Sequence, residues 1–173
     1  MEQGMAVDLY KMYRNEIGIH LNLHRESLQN YLAFSAAILG ATIAGILQIQ
    51  GRGLVGLFLS TIPILNILIC RLAISTCNRF YFIALERTAL SAKLEEILGL
   101  RNKIRLRKTK LFSNDPYLLP ERWITDTQQY KLSSDFIREY SSKGINRIAQ
   151  QTFQILIGIN VLLIVVVVFI GLA

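Results

Sequence analysis

The chain reads as an all-α membrane protein. It has three transmembrane helices, a hairpin plus a C-terminal crossing, with long cytosolic helical extensions and a homo-oligomeric working form. Three observations predict this. No charge occurs between Leu28 and Ile49, a second apolar run covers Leu54 to Cys70, and a third follows the last charge, Arg147. A helix of about 20 apolar residues covers the roughly 30 Å of bilayer hydrocarbon. Half the residues are hydrophobic (52%), yet the net charge is +7, a combination that requires the two properties to be segregated along the chain. The expected divisions are an N-terminal amphipathic cytosolic helix at 1–30, a transmembrane hairpin at 31–70, a basic cytosolic helical region at 71–147 and the third crossing at 148–173.

Residues 1–30 carry four acids and three bases. Leu9, Tyr13, Ile17, Leu21 and Leu28 fall near one another at helical spacing, with Gly18 the one weak helix former. With so few cations, this helix is expected to pack on later cytosolic helices rather than lie on a leaflet. Glu16, His20 and His24 share a face at the i, i+4 spacing that can bind zinc, but no further histidine occurs and no metalloprotease framing accompanies them. The first hydrophobic run is too long for a cleavable signal and is expected to act as an uncleaved anchor.

The first crossing is rich in small residues. Ala33, Ala36 or Ala37, Gly40 and Ala44 form a stripe that permits close helix approach, either onto the second crossing or between subunits. Gln50-Gly51-Arg52-Gly53 leaves room only for a tight hairpin. The second crossing has its own stripe: Gly56, Pro63, Asn66, Cys70, Ala73 and Cys77. Pro63 frees a carbonyl, and Asn66 needs a partner or water within the bilayer, so this face suits a pore wall or a hydrogen-bonded helix contact. Cys70 and Cys77 lie two turns apart on one face and are expected to be reduced packing residues.

Past Arg71 the helical pattern continues to Leu98, with Gly99 as its C-cap. Arg101, Lys103, Arg105, Arg107, Lys108 and Lys110 then place six cations in ten residues. At the end of a straight helix this run would stand beyond the reach of bilayer charge, favouring a soluble polyanion; a chain that folds back would favour anionic lipid. A solvated charge run is the third reading. Asn114-Asp115-Pro116 signals a turn and Pro120-Glu121-Arg122 a short helix. Trp123, the single tryptophan, suits a base platform or a small core. From an N-cap at Ser134-Asp135, the last helix is expected to run unbroken to the end. Gln150, Gln151 and Gln154 form a polar collar where it enters the membrane, and Asn160 points elsewhere.

Fifteen of the nineteen Lys and Arg residues lie between Arg71 and Arg147. By the positive-inside rule the N-terminus and the basic region are cytosolic, and the hairpin turn and C-terminus outside. The expected location is a bacterial inner membrane. No phosphate loop, HExxH, nucleophile elbow or catalytic dyad occurs, and no Asp, Glu or Lys lies within a crossing. An enzyme, a cofactor and a proton-coupled transporter are therefore not expected.

The hairpin Tyr31–Cys70 with its helical extension through Leu98 resembles the small membrane effectors of nucleotide-signalled antiphage systems, the SLATT-type and Hailong-like effectors. The resemblance implies an oligomeric channel or pore, held closed or opened by a nucleotide or oligonucleotide ligand from a partner nucleotidyltransferase. The third crossing departs from the two-crossing pattern. The alternatives are a non-conducting membrane scaffold and a lipid-binding or membrane-shaping protein. Three crossings cannot enclose a water path alone, so conduction would require a ring of subunits.

Overall fold

The computed structural model describes residues 3–48, 58–101, 119 and 121–172. Five helices account for nearly all of them: α1 (Gln3–Gln48), α2 (Thr61–Ile97), α3 (Glu121–Gln128), α4 (Ser133–Ser141) and α5 (Gly144–Leu172). Three of these, α1, α2 and α5, are long and apolar enough to cross a membrane. The expected hairpin turn and most of the basic run lie outside the described residues.

α1 is one continuous helix of 46 residues, about 70 Å at 1.5 Å per residue. The expected amphipathic segment and first crossing are therefore a single element. Its inward stripe runs through Ala6, Tyr10, Tyr13, Ile17, His24, Leu28, Tyr31, Ser35 and Thr42, all buried or half-buried at three-four spacing. Leu21, expected on this stripe, is 41% exposed. The inward positions carry hydroxyl and imidazole tips as well as aliphatic groups, so a hydrophobic pattern alone misplaces one position.

α2 ends as its sequence predicts. Gly99 adopts φ 72°, the left-handed conformation that glycine takes without a Cβ penalty. Leu100 N–H then donates to the Glu95 carbonyl at 2.9 Å and Gly99 N–H to the Glu96 carbonyl at 3.0 Å. This is the paired hydrogen bonding of a Schellman cap. The cap turns the chain back and carries Arg101 to the side of α2.

The expected unbroken last helix is two helices. Ser141 and Ser142 hydroxyls donate to the Arg138 and Glu139 carbonyls, competing with the helical ladder. Gly144 follows with φ 65°, which stops α4 before α5 begins. The start of α4 also differs: Leu132 occupies the N-cap and gives no side-chain hydrogen bond, while Asp135 pairs with Arg138.

The chain divides into two compact units. One comprises residues 1–21 with 81–143, the other 22–80 with 144–173. In the first, the beginning of α1 packs on α2, as expected from its sparse cations: Glu16 pairs with Arg87 at 2.7 Å, and Arg87 lies over the Tyr13 ring. Leu85, Ala89 and Phe136 form the core of this unit, with Tyr81, Trp123, Tyr130 and Tyr140 around them. In the second unit, Cys70, Ala73, Cys77 and Phe153 form the core, flanked by Leu28, Tyr31, Leu32 and Leu156. Both cysteines are free and buried.

Candidate functional sites

Beside its apolar core, the second unit holds a polar seam between three apolar helices. Asn66 on α2 is fully buried. Its Oδ1 accepts from the Ser35 hydroxyl of α1 at 2.8 Å, and its Nδ2 donates to the Ser35 carbonyl and to Asn160 Oδ1 of α5, each at 3.2 Å. Asn160 Nδ2 in turn donates to the Leu156 carbonyl at 2.7 Å. Ser35 Oγ also lies 3.4 Å from Cys70 Sγ. Within hydrocarbon such groups must find internal partners, and each interhelical bond contributes about 0.6 kcal/mol on average. Three elements are thereby tied at one point. Nearer the helix entrance, Gln150 Nε2 donates to Asn78 Oδ1 at 2.7 Å.

This placement sorts the expected membrane site residues into two groups. Pro63, Asn66 and Cys70 are buried within the chain. Gly40, Ala44, Gln151 and Gln154 are exposed. On α1, Ala33, Ala37, Gly40 and Ala44 occupy the side opposite Ser35 and Thr42, and a Cβ built on Gly40 meets nothing within 4 Å. The small-residue stripe therefore faces away from the chain's own helices. Gly45 lies off this stripe, and its built Cβ falls 2.8 Å from Leu59 Cδ1. On α5, Arg147, Gln151, Gln154 and Gly158 form an exposed stripe on the side away from Asn160 and Phe153.

The first unit is organised around Glu95, whose side chain is 1% exposed. Its Oε2 accepts from Trp123 Nε1 at 3.0 Å and from Arg101 Nη2 at 3.2 Å. Its Oε1 receives a long contact of 3.5 Å from the Tyr10 hydroxyl. Burial first, and then the neighbouring carboxylate, push the Tyr10 pKa up, so the hydroxyl remains a donor. Arg101 Nη1 donates to Thr127 Oγ1 at 2.8 Å. One carboxylate thus joins α1, α2, the chain after the Schellman cap, and α3. Trp123 is a core anchor, edge-on to Phe136 at 6.3 Å, and Tyr130 meets Phe136 at 5.6 Å.

Arg101, expected among the polyanion ligands, is paired with Glu95, and its side chain is 8% exposed. Lys103, Arg105, Arg107, Lys108 and Lys110 lie outside the described residues. A cleft of about 240 Å³ opens beside Arg101, lined also by Lys93, Glu96, Lys131, Ser133 and Phe136. Glu16, His20 and His24 do not converge: Glu16 pairs with Arg87, and His24 is hydrogen-bonded with Asn146.

Sequence reasoning missed Glu95. A signal was present: Ala84, Thr88, Ser91 and Glu95 follow three-four spacing, and small residues leading to a charge on one helix face mark a face that another element covers closely. Ala84, Ser91 and Glu95 are all buried. The Ser35–Asn66–Asn160 seam was half legible, since each of these polar residues lies within an apolar run and needs a partner. No protein-family model, curated protein or solved structure matches the chain.

Proposed function

We propose that this chain is a non-catalytic subunit of a homo-oligomeric membrane channel whose path runs between copies and responds to an anionic ligand on the cytosolic side. The carrying observation is the exposed stripe Arg147, Gln151, Gln154 and Gly158 on α5. Two carboxamides on the outer side of an otherwise aliphatic helix need water or a polar partner. Asn66 and Asn160 already satisfy each other inside the subunit, so the water or partner comes from between subunits. The outward Gly40 and Ala44 stripe supplies a surface for close helix contact with a neighbour. Uncharged polar groups and aliphatic constrictions then set conduction, gating by dewetting. The link to antiphage defence rests on the resemblance of the hairpin and its extension to the SLATT-type and Hailong-like effectors.

The test is ion flux from vesicles reconstituted with the full chain, with and without nucleotides and short oligonucleotides. Flux is expected from the wild type and is expected to fall about tenfold in Gln151→Leu/Gln154→Leu. Absence of flux from protein shown to be assembled would overturn the channel and favour a scaffold.

A further inference from the structure

The cleft beside α4 combines features that the fold does not require. Lys93 comes from α2, Arg101 from the turn after its Schellman cap, and Lys131 from the loop before α4, and all three line one space. Among the described residues, neither Lys93 nor Lys131 makes an ion pair. Arg101 is more than nine-tenths buried, and its Nε has no acceptor among the described residues although both Nη atoms are engaged. Ser133 is the first residue of α4 and also lines the cleft. The helix start has no side-chain cap, which leaves its first N–H groups as donors. Asp135, the acid of that first turn, is drawn to Arg138 at 3.0 Å.

We propose that this cleft binds a phosphate group carried by a small organic molecule. Two ammonium groups without an ion pair among the described residues, a buried guanidinium and an uncapped helix start are the donor set that phosphate oxygens accept from. The single acid of the lining, Glu96, lies among exposed positions and provides an acceptor for a hydroxyl or amine on the organic part. Phe136 supplies an apolar wall, and about 240 Å³ exceeds the needs of a bare phosphate. The site gives the proposed channel its ligand-responsive part and rests on that reading for its role. Binding is measured without conductance, so loss of the site and loss of the channel are separate results.

Trp123 is a built-in reporter, since it meets Phe136 edge-on and shares the Glu95 carboxylate with Arg101. The full chain in detergent is titrated with inorganic pyrophosphate and with AMP while Trp123 fluorescence is followed. A saturable change is expected in the wild type. Lys93→Gln/Lys131→Gln should weaken the apparent affinity about tenfold without moving the unfolding midpoint, and Lys93→Arg/Lys131→Arg should retain it. Repeating the titration in phosphatidylcholine discs with and without phosphatidylglycerol separates the two sources of phosphate. Unchanged affinity assigns the site to a soluble molecule, and competition by the anionic lipid assigns it to a headgroup. No saturable change with either probe, or an unaltered response in the Gln variant, would overturn the proposal.

Discussion

At Glu95 one carboxylate on α2 holds groups from three other parts of the chain, and its removal leaves Arg101 charged and buried without its counter-ion. Breaking such a pair from one side costs about 3–5 kcal/mol, because the remaining charge keeps its desolvation penalty. Glu95→Ala should therefore lower the unfolding midpoint sharply, whereas Glu95→Gln, which still accepts from Trp123, should lower it less. Equal stability of Glu95→Ala and wild type would contradict the placement. His24 gives a pH signature. Its burial lowers the pKa below the ordinary 6.5, opposed by the hydrogen bond with Asn146. As pH falls through 6.5 the unfolded chain takes up a proton that the native chain does not, so stability is lost from there down to the native pKa and is unaffected above. Midpoints measured between about pH 7.5 and about pH 5 should fall more steeply for the wild type than for His24→Gln; parallel profiles would refute it. Both residues sit on helix faces where small or polar neighbours hide the burial, which is why hydrophobic spacing did not single them out.

Helix boundaries divide by the kind of signal that sets them. Gly99 was legible because glycine at the end of a long helical pattern has one common use, and its φ of 72° and two capping bonds realise it. Gly99→Ala forces a Cβ into the left-handed region at about 1–2 kcal/mol, and it should also loosen the Arg101–Glu95 pair that the turn delivers. Gly18 is the converse. A Cβ there meets nothing within 4 Å, so Gly18→Ala should stabilise α1 by about 0.5–1 kcal/mol. Denaturant midpoints moving in opposite directions check the pair, and destabilisation by Gly18→Ala would contradict an exposed helical position. The break between α4 and α5 was hidden because Ser141, Ser142 and Gly144 are each tolerated in a helix. The aromatic packing of Phe136 on Tyr140 at 4.7 Å, with Tyr130 and Trp123, gives α4 a partner in its own unit that local propensity does not reveal. Lys143 adds to this end of α4 by pairing with Glu139 and lying over the Tyr140 ring.

For the whole molecule, three long apolar helices were legible from charge-free runs alone, since the bilayer sets their length directly. The distribution of faces was not, because small residues serve inward and outward contacts equally well. Asn66, Cys70 and Ala73 are buried within the chain, and Gly40 and Ala44 are exposed. Phe34, Leu47, Leu68, Leu162 and Phe169 are exposed as well, which is compatible with helices that cross a membrane. On the proposed reading, a chain with internally paired buried polar groups and with glycine and glutamine on its outer stripes works as an assembly. The most direct measurement is the mass of the complex of the full chain in lipid discs, compared with Gly40→Ile/Ala44→Ile. The account predicts a closed set of several copies for the wild type, and a loss of copies in the variant with its helix content unchanged. A wild-type mass equal to one chain would contradict it.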